Sequence, residues 1–189
     1  MFRHMGEGIS KEEAKPYQDF ILHKILQLAG KHSLPVQIHT GIQEGNGNIL
    51  YNSNPIHLNN LFLEYSDVVF DIFHAGYPWF RELGVLAKMF PNVYADMCWM
   101  HVISPHDARE ALSTWLDTVP VNKIFAFGGD YIFAEGAYGH VTIARRNVAR
   151  VLADKVEEGV YSLEQAAYIA RRILRDNAAE VYFKNRSMH

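Results

Sequence analysis

Two histidines and two aspartates close four short apolar runs. His39 ends Val36-Gln37-Ile38-His39, and His74 follows Val68-Val69-Phe70-Asp71-Ile72-Phe73. Asp96 ends Val93-Tyr94-Ala95-Asp96, and Asp130 follows Ile124-Phe125-Ala126-Phe127-Gly128-Gly129. Each run has the length and β-branched or aromatic content of a strand, and in parallel α/β folds functional groups gather where strands end. Imidazole and carboxylate together suit zinc or another divalent ion, manganese being the other candidate. Such an ion lowers the pKa of water, and a nearby Asp or His can take the proton. One strand-end histidine is more often a satisfied structural group. Two histidines and an aspartate converging from separate strands support one another, so His39, His74 and Asp130 form the candidate centre. Asp96 either joins them or hydrogen-bonds a neighbouring loop. Gly128-Gly129 would let the backbone approach a ligand closely.

The chain has ten histidines. His57, in the first turn of a helix opened by Asn54-Pro55, is placed to orient a substrate or to cap. His101 follows the third strand and could line the same rim. His140 opens a long helix just after the Asp130 loop, where a helix start could bind an anionic group. These three are the expected substrate-binding residues. His23 and His32 are expected in solvent, and Trp99 and Met100 in the core. Gly45-Asn46-Gly47-Asn48 lacks the lysine and helix start of a phosphate loop, and no serine sits in a G-x-S-x-G elbow.

Helices must position these groups. Ser10-Lys11-Glu12-Glu13 has the capping-box pattern, after which Tyr17, Phe20, Ile21, Ile25 and Leu28 recur at helical spacing up to Gly30. Strand 35–40 and a polar loop at 43–54 follow. The remaining order is helix 54–65, strand 68–73, helix 78–90, strand 93–97, a helix capped by Ser104-Pro105 and closed by Pro120, and strand 124–128. Helices over 139–158 and, from a second capping box at Ser162, over 162–183 finish the chain. Strands alternating with helices imply right-handed parallel βαβ units. A small doubly wound sheet or the second half of an eight-stranded β/α barrel would each fit; four units cannot close a barrel alone. Unpaired strand edges would invite association, making a homo-oligomer an expected state.

Composition narrows the function classes. The chain has 189 residues, which we read as a single domain over 1–189. Apolar residues make up 49% and charged residues 21%, enough for a packed core. The formal charge of −3 argues against nucleic acid or an anionic membrane as partner and leaves a small-molecule substrate. No apolar run reaches bilayer length, and the polar start lacks a secretory pattern. The single cysteine, Cys98, excludes an internal disulfide framework and suits a reducing compartment such as the cytoplasm. Without a secretory route, Asn185-Arg186-Ser187 carries little weight as a glycosylation acceptor.

The ordered series Val36-Gln37-Ile38-His39-Thr40-Gly41, Asn54-Pro55-Ile56-His57-Leu58, Phe73-His74-Ala75-Gly76-Tyr77-Pro78, Pro91-Asn92-Val93-Tyr94-Ala95-Asp96, Lys123-Ile124-Phe125-Ala126-Phe127-Gly128-Gly129-Asp130 and Ile173-Leu174-Arg175-Asp176-Asn177-Ala178-Ala179 resembles the carboxyl-terminal half of the amidohydrolase superfamily. The likeness is to its amidohydrolase 2 branch of metal-dependent TIM-barrel hydrolases, and within it to the amidohydrolase-like domain of FluG-type proteins. The resemblance implies strands five to eight of a barrel followed by two long helices. His39 then resembles a fifth-strand metal ligand. His74 resembles a sixth-strand ligand or a group that activates water and polarises substrate. Asp130 resembles the eighth-strand aspartate that binds metal and shuttles a proton. The implied activity is hydrolysis of a C–N or related bond in a small polar substrate; sugar-acid isomerisation, decarboxylation and a non-catalytic, self-associating half barrel are the alternatives. Two departures stand out: Gly129 replaces the more usual Ser or Thr, and there is no first-strand His-x-His. The expectation is a half barrel that is a truncated product, a fragment or part of an assembly.

Overall fold

The computed structural model describes residues 10–45 and 47–183; the Asn185-Arg186-Ser187 acceptor lies outside them. The helix starts follow their caps. In α1 (Lys11–Lys31), Glu13 N donates to Ser10 Oγ (3.2 Å) while Ser10 N donates to Glu13 Oε2 (3.0 Å). The capping box at Ser162 opens α7 (Leu163–Arg171) in the same way. The strands are β1 (Val36–His39), β2 (Phe70–Phe73), β3 (Val93–Asp96) and β4 (Ile124–Phe125). Between them lie α2 (Asn59–Glu64), α3 (Phe80–Met89), α4 (Met100–Ile103) and α5 (Pro105–Thr118); α6 (Ala134–Glu157), α7 and α8 (Asn177–Phe183) follow.

The sheet decides between the two architectures. Its order is β1-β2-β3-β4 and every pair is parallel. Right-handed crossovers that always step in one direction place all helices on one face. A doubly wound sheet instead reverses its order at a switch point, and this one does not. Phe70, Ile72, Val93, Ala95 and Ile124 point into the helix-side core. That core is anchored by Trp115 of α5, fully buried, whose Nε1 donates to Phe80 O (2.8 Å). The alternate residues Gln37, Asp71, Tyr94 and Asp96 form the other face. A wholly apolar two-sided sheet would not carry them, whereas the concave face of a barrel does. The chain is half of a β/α barrel.

Two differences from the sequence reading bear on the open sides of this half. The apolar stripe of α1 is present but turned outward: Phe20 is 55% exposed, Ile25 51% and Leu28 55%, while Leu26 and Ala29 face the core. The expected final helix is interrupted by a π-helical turn over Arg172–Asp176. There Ile173 O accepts from Ala126 N (2.8 Å), and Asn177 Nδ2 donates to Ile124 O (2.9 Å). A π turn frees carbonyls from the regular helical pattern, and here one of them caps strand β4. The β4 edge is thus covered by the chain itself, and edge-to-edge closure between two copies would have to displace residues 173–177. Smaller differences are that α6 begins at Ala134, five residues before the expected 139, and that His23 bonds Tyr65 Oη (2.5 Å).

Candidate metal centre

Residues in left-handed backbone conformation follow all four strands: Gly41 (φ +66°), His74 (+64°), Ala75 (+53°), Gly76 (+63°), Trp99 (+58°) and Asp130 (+49°). Such strain persists where surrounding structure imposes it, and it concentrates at functional sites. Its effect here is to turn side chains over the carboxyl ends of the strands.

His39 Nδ1 lies 2.8 Å from His74 Nε2 and 3.9 Å from Asp130 Oδ2. One ligand atom from each residue lies within 4.8 Å of the others. The three residues of the candidate centre therefore converge from three strand ends, although 91 positions separate His39 from Asp130. His74 is buried and His39 half exposed. His74 Nδ1 donates to Cys98 O (3.2 Å), since a carbonyl can only accept. Its Nε2 is then a lone-pair donor aimed at His39, the arrangement expected of a metal-ligating histidine. Burial, opposed by the Cys98 carbonyl and reinforced by His39, lowers the His74 pKa and keeps it neutral. This donor set fits a divalent ion.

The other expected site residues lie apart from the trio. His57 is exposed, with Nε2 bonded to Tyr51 O (3.0 Å) and its ring against Tyr51. His101 is fully buried; Nε2 donates to Ala126 O (2.8 Å) and Nδ1 accepts from Asn147 Nδ2 (3.1 Å). Burial pushes its pKa down to about 4. His140 is buried among the rings of His101, Phe127 and Tyr131. His101 and His140 thus lie beneath the rim rather than open upon it. A second metal-capable group, His106, Asp107 and Glu110, lies along α5, where Glu110 is paired with Arg81.

Sequence reasoning missed several residues around the site. Trp99, assigned to the core with Met100, is only half-buried: its ring lies 5.5 Å from that of His74, and its Nε1 donates to Asp130 O (3.2 Å). Beside Asp130 a cavity of about 310 Å³ is lined by Gln37, Asp71, Asp96, Phe125 and Tyr182 among others. Tyr182, on α8, donates to Asp71 Oδ2 and accepts from Gln37 Nε2 (3.0 Å). The lone charge of Asp71 inside an otherwise apolar strand was the available signal. Gly128 serves packing: a Cβ there would lie 2.7 Å from Cys98 Cβ and 2.9 Å from Asp96 Oδ1. At Gly129 a Cβ would meet only ordinary contacts at 3.8 Å, so a larger residue fits there.

Burial, foremost, pushes the Asp71 pKa up from 3.8 to about 7. Its folded-state value lies above the unfolded one, so the stability it contributes is full below about pH 4 and is lost as pH rises toward 7. The lowered pKa values of His74, His101 and His140 act in the opposite sense. These cancel when wild type is compared with Asp71→Asn. Denaturant unfolding should show the advantage of wild type over Asp71→Asn shrinking from pH 4 to pH 7; a difference independent of pH would contradict the buried-acid assignment.

A half barrel with imidazole and carboxylate groups gathered at its strand ends belongs to the β/α-barrel class, whose functional groups lie at that rim. Residues 5–184 match the family described as amidohydrolase, and the chain belongs to that family. It is 33% identical over 179 residues to Protein fluG of Emericella nidulans, across 92% of this chain and 21% of that protein. Its fold is similar to that of a protein of Lactobacillus casei provisionally assigned as a metal-dependent hydrolase (23% identity, TM-score 0.79; 100% of this chain, 49% of that one). It is also similar to that of uronate isomerase from Thermotoga maritima (17% identity, TM-score 0.74; 94% and 43%). The chain thus spans about a fifth of that curated relative and about half of each structural neighbour. Among the described residues no helix is long and apolar enough to cross a membrane.

Proposed function

We propose that this chain carries the carboxyl-terminal half of a metal-dependent hydrolase acting on a C–N or related bond of a small polar substrate. The observation that carries this reading is the convergence of His39, His74 and Asp130 within 4.8 Å. His39, His74 and Asp130 would hold the ion, with zinc favoured by the nitrogen-rich donor set and manganese the other candidate. When bound, a divalent ion supplies Lewis acidity that makes water a nucleophile near neutral pH. His74, fixed by the Cys98 carbonyl, presents one nitrogen in a constant direction. Asp130 can accept the proton of the attacking water and return it to the leaving group. Trp99 forms an apolar wall beside His74 and limits water on that side.

The exposed apolar face of α1 and the β1 edge would suit a complementary half barrel that adds the ligands held by the first strands in the resemblance. Two copies of this chain are less suited, because β4 is already capped from within. A second reading, isomerisation of a sugar acid on the same residues, is favoured by the fold shared with uronate isomerase. Its mark would be interconversion of aldehyde and ketone acids without release of a fragment.

A cobalt titration followed by visible absorption tests the centre. Saturable one-to-one uptake by the purified chain is expected. Failure to take up cobalt, zinc or manganese would remove His39, His74 and Asp130 as a metal centre of this chain.

A further inference from the structure

We propose that Asp96 is the positioning residue of this centre, acting on the His74 imidazole through the Cys98 peptide. The inference rests on the metal-centre reading above and deepens it. Strand β3 ends at Asp96, and beyond it the Cys98 amide takes a side-chain acceptor in place of a ladder bond. Asp96, buried, supplies the substitute: its Oδ1 accepts from Cys98 N (2.7 Å). The Cys98 carbonyl in turn accepts from His74 Nδ1 (3.2 Å). Carboxyl, amide, carbonyl and imidazole thus form one line from the concave face to the candidate metal position. A carbonyl cannot donate, so the line keeps the His74 proton on Nδ1 and makes Nε2 the acceptor facing His39 Nδ1, 2.8 Å away.

Other contacts lock the Cys98 peptide in place. Met97 N donates to Phe125 O (2.9 Å) and Trp99 N to Gly128 O (3.4 Å). Trp99 turns left-handed directly after it. Gly128 alone leaves room for Cys98 Cβ and Asp96 Oδ1. On its other side Asp96 faces Asp71, and burial together with that neighbour's charge raises its pKa. Asp96 is then a neutral acid that accepts from Cys98 N. Asparagine reproduces that bond without a charge, whereas alanine does not. A residue acting by its charge would fail equally as asparagine.

The test uses the metal-free chain labelled with ¹⁵N-histidine, where long-range ¹H–¹⁵N correlations report the His74 tautomer, followed by cobalt titration. Wild type and Asp96→Asn should both show the Nδ1–H form and equal cobalt affinity. Asp96→Ala should show mixed tautomers and affinity about 10- to 100-fold weaker, the usual cost of losing a residue that orients a ligand. Gly128→Ala, which keeps the carboxyl but crowds it off Cys98, should move both readouts the same way and covers the case in which Asp96→Ala does not fold. A folded Asp96→Ala with the wild-type tautomer overturns the proposal, and so does an Asp96→Asn as damaged as Asp96→Ala. Absence of cobalt uptake with the tautomer change intact defeats the metal reading and leaves the positioning link standing.

Discussion

His39→Ala should reduce cobalt or zinc affinity by about 100- to 1,000-fold while leaving the fold intact. Structural zinc sites release roughly 10–16 kcal/mol over four ligands, so one ligand accounts for about 2.5–4 kcal/mol. The donor sets at the two ends of the trio are unequal. His74 is buried and fixed from behind by Cys98, so its removal would disturb packing as well as coordination. His39 is half exposed and lies at the open mouth. Truncating it removes a ligand and the bond to His74 without opening a core cavity, and surface truncations of that kind cost little stability. The comparison therefore separates coordination from folding. Thermal unfolding close to wild type with metal uptake gone is the expected pair of results. Undiminished uptake by His39→Ala would place the metal elsewhere, with the α5 group of His106, Asp107 and Glu110 the first place to look. Asp130→Asn should fall in the same direction, because the amide keeps the shape and loses the charge that opposes the cation.

The strands, their order along the chain and the trio at their ends were legible because each rests on local pattern. A short apolar run has one exit, and the first polar residue beyond it is a strand-end group whatever the rest of the fold does. Caps were legible for the same reason: Ser10, Ser104 and Ser162 each satisfy a backbone donor three residues on. What was not legible depends on partners distant in sequence. Periodicity identifies an apolar stripe on α1 but cannot say whether anything covers it; that depends on a surface this half does not contain. Tyr182 reads as one more aromatic on a terminal helix, yet it bonds Asp71, 111 positions earlier. His101 and His140 follow strand ends or helix starts as His74 does, and only packing against Ala126, Asn147 and Phe127 sets them below the rim. Asp96 offered two roles, and the structure realises the second: it bonds the loop, and through that loop it reaches His74.

The largest loss of stability is expected from a change with no side chain to remove. Gly41 follows β1 with φ +66°, and a Cβ there would lie 2.1 Å from Tyr77 O and 2.7 Å from Tyr77 N. Both are backbone atoms, so no rotamer can relieve the clash; one loop must move. Left-handed strain adds about 1–2 kcal/mol and overpacking about 1–3 kcal/mol, so Gly41→Ala should cost roughly 3 kcal/mol and lower Tm by about 10 °C. The loops it would force apart are those that carry the two histidines. Gly41 lies two residues after His39, and Tyr77 three residues after His74. Their backbones are joined by Ile42 N donating to Tyr77 O (2.9 Å), beside Thr40 Oγ1 donating to Phe73 O (2.9 Å). Metal affinity should therefore fall together with stability, since separating these loops lengthens the His39–His74 contact. Gly45→Ala supplies the control: its φ is +92° but nothing lies within 4 Å of the added Cβ, so it bears strain without a clash. Denaturant unfolding of the two variants side by side isolates the contribution of the packed turn. If Gly41→Ala costs no more than Gly45→Ala, the two histidine loops are not held together by this contact, and their spacing must come from β1–β2 pairing and the Thr40–Phe73 bond.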